Sequence, residues 1–289
     1  MSLHMRPSRS FVLLVLGLLF GASGCDKLDD PVVGILQPID NCELPEFEAM
    51  TSDVHRVLLE DFTGHQCGNC PEAGYLADSL AKMHLGIVFP LAIHSGNFAD
   101  TNSEFPTDWS CPEGDEFFND LDFQANPLGR VNRQESENEY LGMDEWGGAL
   151  EIELAKAAKA GLQLEVSFNP GSQTACIHVH TTWFQNVEGA VRLSLLVAEN
   201  SLTGPQLLYL EGGEETTIED FEFEHVLRGS VTGSKGLVVA ENPRNGDTHR
   251  NDYALTWVPQ WQEAHCDIYA ILTESDGSVL QLAAAPVLE

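Results

Sequence analysis

The sequence predicts an α/β domain over residues 51–161 and an all-β sandwich domain over residues 162–289. Three observations indicate this fold class. Strand and helix patterns alternate in the first segment, and short apolar strands separated by Gly, Pro, Asn and Ser fill the second. A Cys-x-x-Cys motif, Cys67 to Cys70, stands where the first strand of the α/β segment is followed by a helix.

The first 24 residues have the pattern of a secretory signal peptide. Arg6 and Arg9 precede an apolar run from Phe11 to Phe20, and small residues then lead to Cys25. The run is shorter than the roughly 20 residues of a membrane-spanning helix, so a permanent transmembrane helix is the weaker interpretation. We therefore expect export and cleavage of residues 1–24.

Cys25 is the expected lipidation site, because the residues before it resemble the cleavage site of bacterial lipoproteins. Ala22 stands where such signals usually have Leu, so a secreted protein with a free Cys25 remains an open alternative. Residues 25–50 contain three prolines among polar residues and are interpreted as a tether between the lipid and the first domain.

The first part of the α/β segment has the pattern of a βαβ unit. An apolar strand covers Val57 to Phe62, a helix with one apolar stripe covers Pro71 to His84, and a second apolar strand covers Ile87 to His94. A strand, a crossover helix and a strand in this order produce two parallel strands in one sheet.

The rest of the α/β segment contains a long loop and three short elements. The loop covers Ser95 to Gly114, and loops of this length are usually functional, disulfide-held or mobile. The pattern then predicts a helix over Glu116 to Phe123 and a strand over Arg130 to Arg133. An alanine-rich helix follows over Ala149 to Ala160, before the boundary at residue 161.

The second segment changes to short strands with turn residues between them and shows no convincing amphipathic helix. This pattern is typical of an antiparallel sandwich of the immunoglobulin type. The predicted strands are Leu162 to Phe168, Cys176 to Trp183, Ala190 to Glu199, Val231 to Val239 and Cys266 to Thr273.

The cysteine count agrees with export. Six of the seven cysteines remain once Cys25 is set apart, an even number that suits disulfides in an oxidising compartment. Two cysteines form the Cys-x-x-Cys motif. Of the other four cysteines, two lie in strand-like segments and two lie in loops, and we pair each two with one another. The connectivity of these four cysteines stays open. The predicted structural bridges are Cys176 with Cys266 and Cys42 with Cys111.

The Cys-x-x-Cys motif carries the clearest chemistry. Unpaired backbone N–H groups and the helix dipole at a helix start stabilise a thiolate, which lowers the pKa of a free thiol from about 8.5 toward neutrality. Cys67 is the expected nucleophile toward a substrate disulfide, and Cys70 then closes the disulfide. Zinc would need two further ligands and no second Cys-x-x-Cys is present, so we predict no metal site and no cofactor.

The stretch from Leu58 to Cys70 resembles the strand, turn and helix start of thioredoxin-fold proteins. Asp61 has the spacing of the buried aspartate of that fold, six residues before Cys67, and the resemblance implies that it accepts the proton of Cys70. Pro127 resembles the cis-proline across from the dithiol, which implies that it aligns an extended substrate. The alternative for Asp61 is a solvent-facing position on an alternating strand.

A set of motifs extends over nearly the whole chain after the signal. The motifs are Glu60 to Gly64, Cys67 to Pro71, His94, Pro127 to Arg133, Ala198 to Asn200 with Gln206, His225 to Arg228, and the final strand around Ile268 to Gln281. In combination they are similar to those of the outer membrane protein 28 related lipoproteins. The resemblance implies a thioredoxin-like domain followed by a β-sandwich, on a lipid-anchored protein of the outer membrane that faces the periplasm or the cell surface.

The charge of the chain disfavours one class of partner. The formal net charge is −31, from 45 acidic and 14 basic side chains. Nucleic acid is therefore not an expected partner, because its phosphates would be repelled. We interpret the acidity as a solvated surface and make no prediction of the oligomeric state.

Two functions are consistent with these patterns. The first is a thiol–disulfide oxidoreductase with catalytic Cys67, Cys70, Asp61 and Pro127, whose partners are protein or peptide thiols and disulfides and, through its lipid anchor, the membrane. The second is a non-enzymatic surface binding or adhesion lipoprotein. In that case the disulfide between Cys67 and Cys70 is structural and the β-domain supplies the contacts.

Overall fold

The structure is a computed structural model that describes residues 42–134 and 140–288, together with positions 1, 36, 37 and 39. The expected signal peptide, the lipidation site Cys25 and much of the tether before residue 42 lie outside the described residues and stay predictions. In the described part of the chain, no helix is long and apolar enough to cross a membrane.

The described residues contain three α-helices and fourteen strands. The helices are α1 (Cys70–Met83), α2 (Pro112–Asn119) and α3 (Met143–Leu154). The strands are β1 (Leu36–Gln37), β2 (Val57–Thr63), β3 (Val88–His94), β4 (Leu128–Val131), β5 (Ala160–Asn169), β6 (Thr174–Trp183), β7 (Ala190–Glu199), β8 (Leu202–Tyr209), β9 (Glu215–Phe223), β10 (Val226–Ser230), β11 (Leu237–Glu241), β12 (Thr248–Thr256), β13 (Cys266–Thr273) and β14 (Val279–Pro286).

The largest sheet contains eight strands in the order β14-β13-β7-β10-β3-β2-β4, with β11 also paired to β7. Strands β2 and β3 are parallel and are connected by α1, as the βαβ pattern predicts. Strand β4 pairs antiparallel with β2, and β10 pairs parallel with β3 where Val226 lies opposite Ala92. Strands from both sides of the expected boundary at residue 161 therefore belong to one sheet.

A second sheet, in the order β1-β12-β6-β5, is entirely antiparallel. Its apolar face packs against β7, β13 and β14, where Ile177, Trp183 and Leu195 belong to one buried core. A second core, which includes Leu59, Ala77 and other side chains, packs α1 and α3 against β2. Both cores follow from the alternation of apolar residues along strands and their 3.6-residue spacing along helices.

Strands β8 and β9 form a separate two-stranded hairpin. A small cluster of Trp109, Leu202, Phe223 and Val226 holds the base of this hairpin. The hairpin extends from that base across the start of α1, through contacts described below.

The fold class expected from the sequence is wrong. The described protein is mostly β, with only three α-helices, instead of a thioredoxin-like α/β domain followed by an immunoglobulin-like sandwich domain. Strands β2, β3 and β4 do not form a sheet of their own, because β10 from the C-terminal half pairs with the free edge of β3. Local periodicity identified β2 and β3 but carried no information about this long-range pairing.

Helix α3 begins and ends about six residues earlier than the sequence indicates. Its start is fixed by Gly142, whose backbone N–H donates to Glu145 Oε2 at 3.0 Å, and by the buried Trp146. The alanines after residue 154 do not extend it, because Ala160 already pairs with Trp183 in the second sheet. Tertiary pairing therefore overrides the helix propensity of alanine here.

Candidate functional site around the Cys67–Cys70 disulfide

Cys67 and Cys70 are joined by a disulfide with an S–S distance of 2.10 Å. The turn between β2 and α1 places them, and the backbone N–H of Cys70 donates to the carbonyl of Cys67 at 3.1 Å. Pro71 occupies the first turn of α1, where a missing N–H costs nothing. Both cysteines are only 3% exposed. The disulfide therefore begins a helix, as the sequence predicts, but it is covered.

Asp61 lies in β2 and is buried, so it does not face solvent. Its Oδ1 has no hydrogen-bond partner among the described residues. Burial raises the pKa of Asp61 from 3.8 to about 8. Asp61 and Cys70 line one cavity of about 60 Å³, which also reaches Tyr75, Phe221 and Glu222. The cavity therefore places a protonated carboxyl group beside the disulfide.

His94 ends β3 and lines the same cavity. Its ring lies edge-on to Phe223 at 5.3 Å and is 6.2 Å from the ring of His65. Burial, with smaller effects of His65 and Arg228, lowers the pKa of His94 to about 3. His94 is therefore neutral at physiological pH, and together with Asp61 it gives the cavity two uncharged titratable groups.

Strand β8 covers the dithiol turn from outside. The backbone N–H groups of Leu207 and Tyr209 donate to the carbonyls of His65 at 2.8 Å and Gly68 at 2.9 Å. Gln206 Nε2 donates to the carbonyl of Cys67 at 3.0 Å. Strand β8 is therefore hydrogen-bonded to the turn at Cys67 itself and on both sides of it, in a protein in which Cys67 is only 3% exposed.

Pro127 precedes β4, and its peptide bond with Asn126 is cis. Asn126 Nδ2 donates to the carbonyl of Ser95 at 3.4 Å, directly after His94. Phe62 lies opposite Leu128 in the antiparallel pair of β2 and β4. Pro127 therefore lies at the end of β2 from which the dithiol turn begins. The substrate-aligning role of Pro127 stays a prediction.

Glu60 is fully buried on the opposite face of β2 from Asp61 and is paired with two arginines. Arg130 Nε donates to Glu60 Oε2 at 3.0 Å, and Arg133 Nη2 donates to Glu60 Oε1 at 2.7 Å. Burial acts to raise the pKa of Glu60, but the two guanidinium groups hold it below its usual value. Neighbouring carboxyl groups of one strand thus have opposite environments, and only Asp61 lacks a cation.

The predicted pairing of the other four cysteines is wrong. Cys42 forms a disulfide with Cys176, with a Cα–Cα distance of 5.7 Å. Cys176 lies in β6 of the four-stranded sheet, whereas Cys266 lies in β13 of the eight-stranded sheet. Matching cysteines by local pattern could not reveal that the segment around Cys42 lies along β6.

Cys111 and Cys266 are free thiols, and both are buried. Burial raises the pKa of Cys111 to about 12 and also raises the pKa of Cys266. These thiols stay protonated at neutral pH and are poor nucleophiles. They therefore lie outside the candidate site.

His178 and His180 alternate along β6, and both are engaged in other contacts. His178 Nδ1 lies 2.7 Å from Asp252 Oδ1, and His180 stacks on Phe47 with a centroid distance of 5.3 Å. Within the described ranges, no group of three or more His, Cys, Asp or Glu side chains is placed to hold a metal ion.

Residues 115–288 match the family described as outer membrane protein Omp28. The chain belongs to the outer membrane protein Omp28 family. The matched region includes β4 to β14 and the cis-proline, but it begins after Cys70. The family match therefore extends over the hairpin that covers the site and leaves the dithiol itself to be interpreted from its geometry.

Two solved structures are similar to this Omp28 family member. HBP35 of Porphyromonas gingivalis has a TM-score of 0.62 and 17% identity, over 82% of this chain and 77% of that chain. A protein of Agrobacterium tumefaciens has a TM-score of 0.51 and 12% identity, over 82% of this chain and 96% of that chain. At these identities the likeness shows a shared fold alone. No curated protein matches the chain.

Sequence reasoning missed the covering hairpin of this Omp28 family member. The signal was present, because Leu202–Tyr209 and Glu215–Phe223 flank a short segment that contains Gly212 and Gly213. This pattern predicts a hairpin, but nothing in it says that β8 docks on a turn about 140 residues earlier in the chain.

Proposed function

We propose that this Omp28 family member is a thiol–disulfide oxidoreductase of the cell envelope. One observation carries the proposal. Asp61 is a buried carboxyl group without a hydrogen-bond partner for Oδ1, and it shares a small cavity with Cys70. Burying such a group costs stability, and a raised pKa beside a reactive group is typical of functional sites.

The reaction uses the reduced dithiol. The Cys67 thiolate attacks a substrate disulfide, forms a mixed disulfide and releases one substrate thiolate. Asp61, of which about a tenth is ionised at pH 7 when the pKa is near 8, accepts the proton of the Cys70 thiol. The Cys70 thiolate then attacks Cys67, releases the second substrate thiolate and restores the disulfide seen in the structure.

Two electrons pass from the dithiol to the substrate in each cycle, so a thiol donor must reduce the disulfide again. We propose protein or peptide thiols and disulfides as partners, with Pro127 aligning the substrate chain. We also propose attachment to the outer membrane through a lipid on Cys25. The strongly acidic chain disfavours nucleic acid as a partner.

A reduction-potential measurement together with insulin reduction tests this proposal. We expect a potential for Cys67–Cys70 within the range of exchange catalysts, about −270 to −120 mV. We also expect thiol-driven insulin reduction that Cys67→Ser abolishes. Equal insulin reduction by the wild-type protein and Cys67→Ser would refute the proposed oxidoreductase activity.

The second candidate function is a binding lipoprotein in which this disulfide is only structural. The burial of Cys67, at 3% exposure beneath β8, favours this candidate. A potential below about −300 mV, combined with no insulin reduction, would support it.

A further inference from the structure

We propose that β8 occupies the substrate position on the dithiol turn and acts as an internal ligand that an extended polypeptide displaces. This inference rests on the proposed exchange activity, because it concerns how a substrate reaches Cys67. It assigns a role to the β8–β9 hairpin and a chemical class to the substrate.

The backbone contacts of β8 are those of an added strand. Leu207 and Tyr209 are two residues apart, and each donates its backbone N–H to a carbonyl of the turn, at His65 and Gly68. An extended chain presents N–H groups on one side at this spacing, which is how peptides bind by strand addition. Any extended polypeptide can supply the same two donors, whatever its sequence.

Two side chains of β8 complete the contact. Gln206 donates to the carbonyl of Cys67 at 3.0 Å. The ring of Tyr209 lies against Gly68, so closely that a Cβ atom on Gly68 would be 2.4 Å from Tyr209 Cδ1. The turn therefore accepts an aromatic side chain directly beside the disulfide, and a substrate with an aromatic residue at this place fits best.

The hairpin is built so that it can separate from the turn. Within the described residues, β8 pairs in a sheet only with β9 and belongs to neither large sheet. The chain from Leu202 to His225 contains seven carboxylates and no Lys or Arg, so like charges repel one another along it. Its base is held by apolar packing of Leu202 and Phe223, which lets the outer part move while the base stays fixed.

Displacement is needed because Cys67 is 3% exposed when β8 is in place. A thiolate must reach a substrate sulfur in line with the bond that breaks, and β8 blocks that approach. A competing internal ligand lowers the apparent affinity for substrate, because only the molecules from which β8 has separated can bind substrate. Loosening β8 should therefore lower KM and leave kcat unchanged.

Tyr209→Ala tests the proposal, with Leu210→Ala as the matched control. Tyr209 is 42% exposed and Leu210 is 43% exposed, so neither substitution empties the core. In the reduced protein, we expect iodoacetamide to modify Cys67 in Tyr209→Ala about three to ten times faster than in the wild type, the range for one lost aromatic contact. Leu210→Ala should match the wild type. Fragment-ion mass spectrometry of the alkylated peptides identifies Cys67 separately from Cys70, Cys111 and Cys266.

Exchange kinetics with a peptide disulfide separate this inference from the proposed function. A lower KM at unchanged kcat in Tyr209→Ala supports displacement of β8. Equal alkylation rates and equal KM values in an active enzyme overturn the displacement and leave the oxidoreductase intact. If Tyr209→Ala is alkylated faster but neither protein exchanges disulfides, the oxidoreductase and the substrate-displacement role are both overturned.

Discussion

Asp61 and Cys70 line the same cavity, and each residue is only 3% exposed. This pairing has a cost, because a carboxyl group loses its hydration in such a place and Oδ1 gains no hydrogen bond in return. The neighbouring Glu60 shows the stabilised alternative, with two arginines around an equally buried carboxylate. Strand β2 thus buries Glu60 with two cationic partners and buries the next residue, Asp61, without one. Asp61 is the carboxyl group that lies beside the only Cys-x-x-Cys of the chain.

Asp61→Asn should stabilise the protein at neutral pH. The folded state keeps a proton on Asp61 up to about pH 8, whereas the unfolded chain releases it near pH 3.8. Stability therefore falls as the pH rises from about 4 to about 8, and the amide removes that fall. We expect a gain on the order of 4 kcal/mol at pH 7. Urea unfolding at pH 4, 7 and 9 measures it, with the exposed Glu165→Gln as control.

The same Asp61→Asn variant should lose activity while it gains stability. Without the carboxylate, the Cys70 thiol has no proton acceptor in the cavity, and resolution of the mixed disulfide should slow by about a hundredfold. Rapid-mixing measurements with a peptide disulfide report this step. A stabilised variant with full activity would show that Asp61 has no part in proton transfer.

Glu60→Gln should strongly destabilise the protein. Removal of the charge leaves Arg130 and Arg133 near one another without a counter-ion, and breaking a buried pair of this kind costs about 3–5 kcal/mol. The matched control is Glu188→Gln, which breaks a solvent-exposed pair with Arg244 and should change little. Urea midpoints at pH 7 compare the two variants, and equal midpoints would contradict the prediction.

The pH dependence of the Glu60 contribution runs opposite to that of Asp61. The folded-state pKa of Glu60 lies below its ordinary value of 4.5, so the stabilisation is fully present above that pH. It is lost as the pH falls through the lowered folded-state pKa. The difference in stability between the wild type and Glu60→Gln should therefore shrink in acid and stay constant from pH 6 to 8.

The sequence predicted those parts of the site that depend on local pattern. Strand β2, the start of α1 and the Cys67–Cys70 bond all follow from residues within about 25 positions of one another, whereas the buried position of Asp61 is what the resemblance to the thioredoxin fold implies. Periodicity and a helix-start motif are sufficient there, because each feature is stabilised by neighbours in the chain.

What the sequence could not predict depends on long-range pairing. Strand β10 pairs with β3, so the expected separate α/β domain does not form. The disulfide between Cys42 and Cys176 joins residues 134 positions apart. The docking of β8 on the dithiol turn likewise joins residues 139 positions apart, from Cys67 to Gln206. None of these segments contains a local sign of its partner, since each is compatible with several neighbours in a sheet.

Replacing the disulfide of Cys42 should lower stability without affecting the dithiol. The bond closes a loop across 134 residues, and natural disulfides that constrain the unfolded chain typically contribute about 2–4 kcal/mol. The double variant Cys42→Ser and Cys176→Ser avoids a new free thiol. Thermal unfolding measures the loss, and the reduction potential of Cys67–Cys70 should stay at the wild-type value. A shifted potential would mean that the two disulfides are coupled.

Gly68→Ala should loosen β8, whereas Gly74→Ala should not. A Cβ atom at Gly68 would lie 2.4 Å from the Tyr209 ring, so that ring must move and the backbone hydrogen bonds of Leu207 and Tyr209 weaken with it. At Gly74, within α1, a Cβ atom meets nothing within 4 Å, and alanine should stabilise the helix by about 0.5–1 kcal/mol. Amide hydrogen exchange at Leu207 and Tyr209 should be faster in Gly68→Ala and unchanged in Gly74→Ala. Equal protection in both variants would mean that the Tyr209 ring does not hold β8 on the turn.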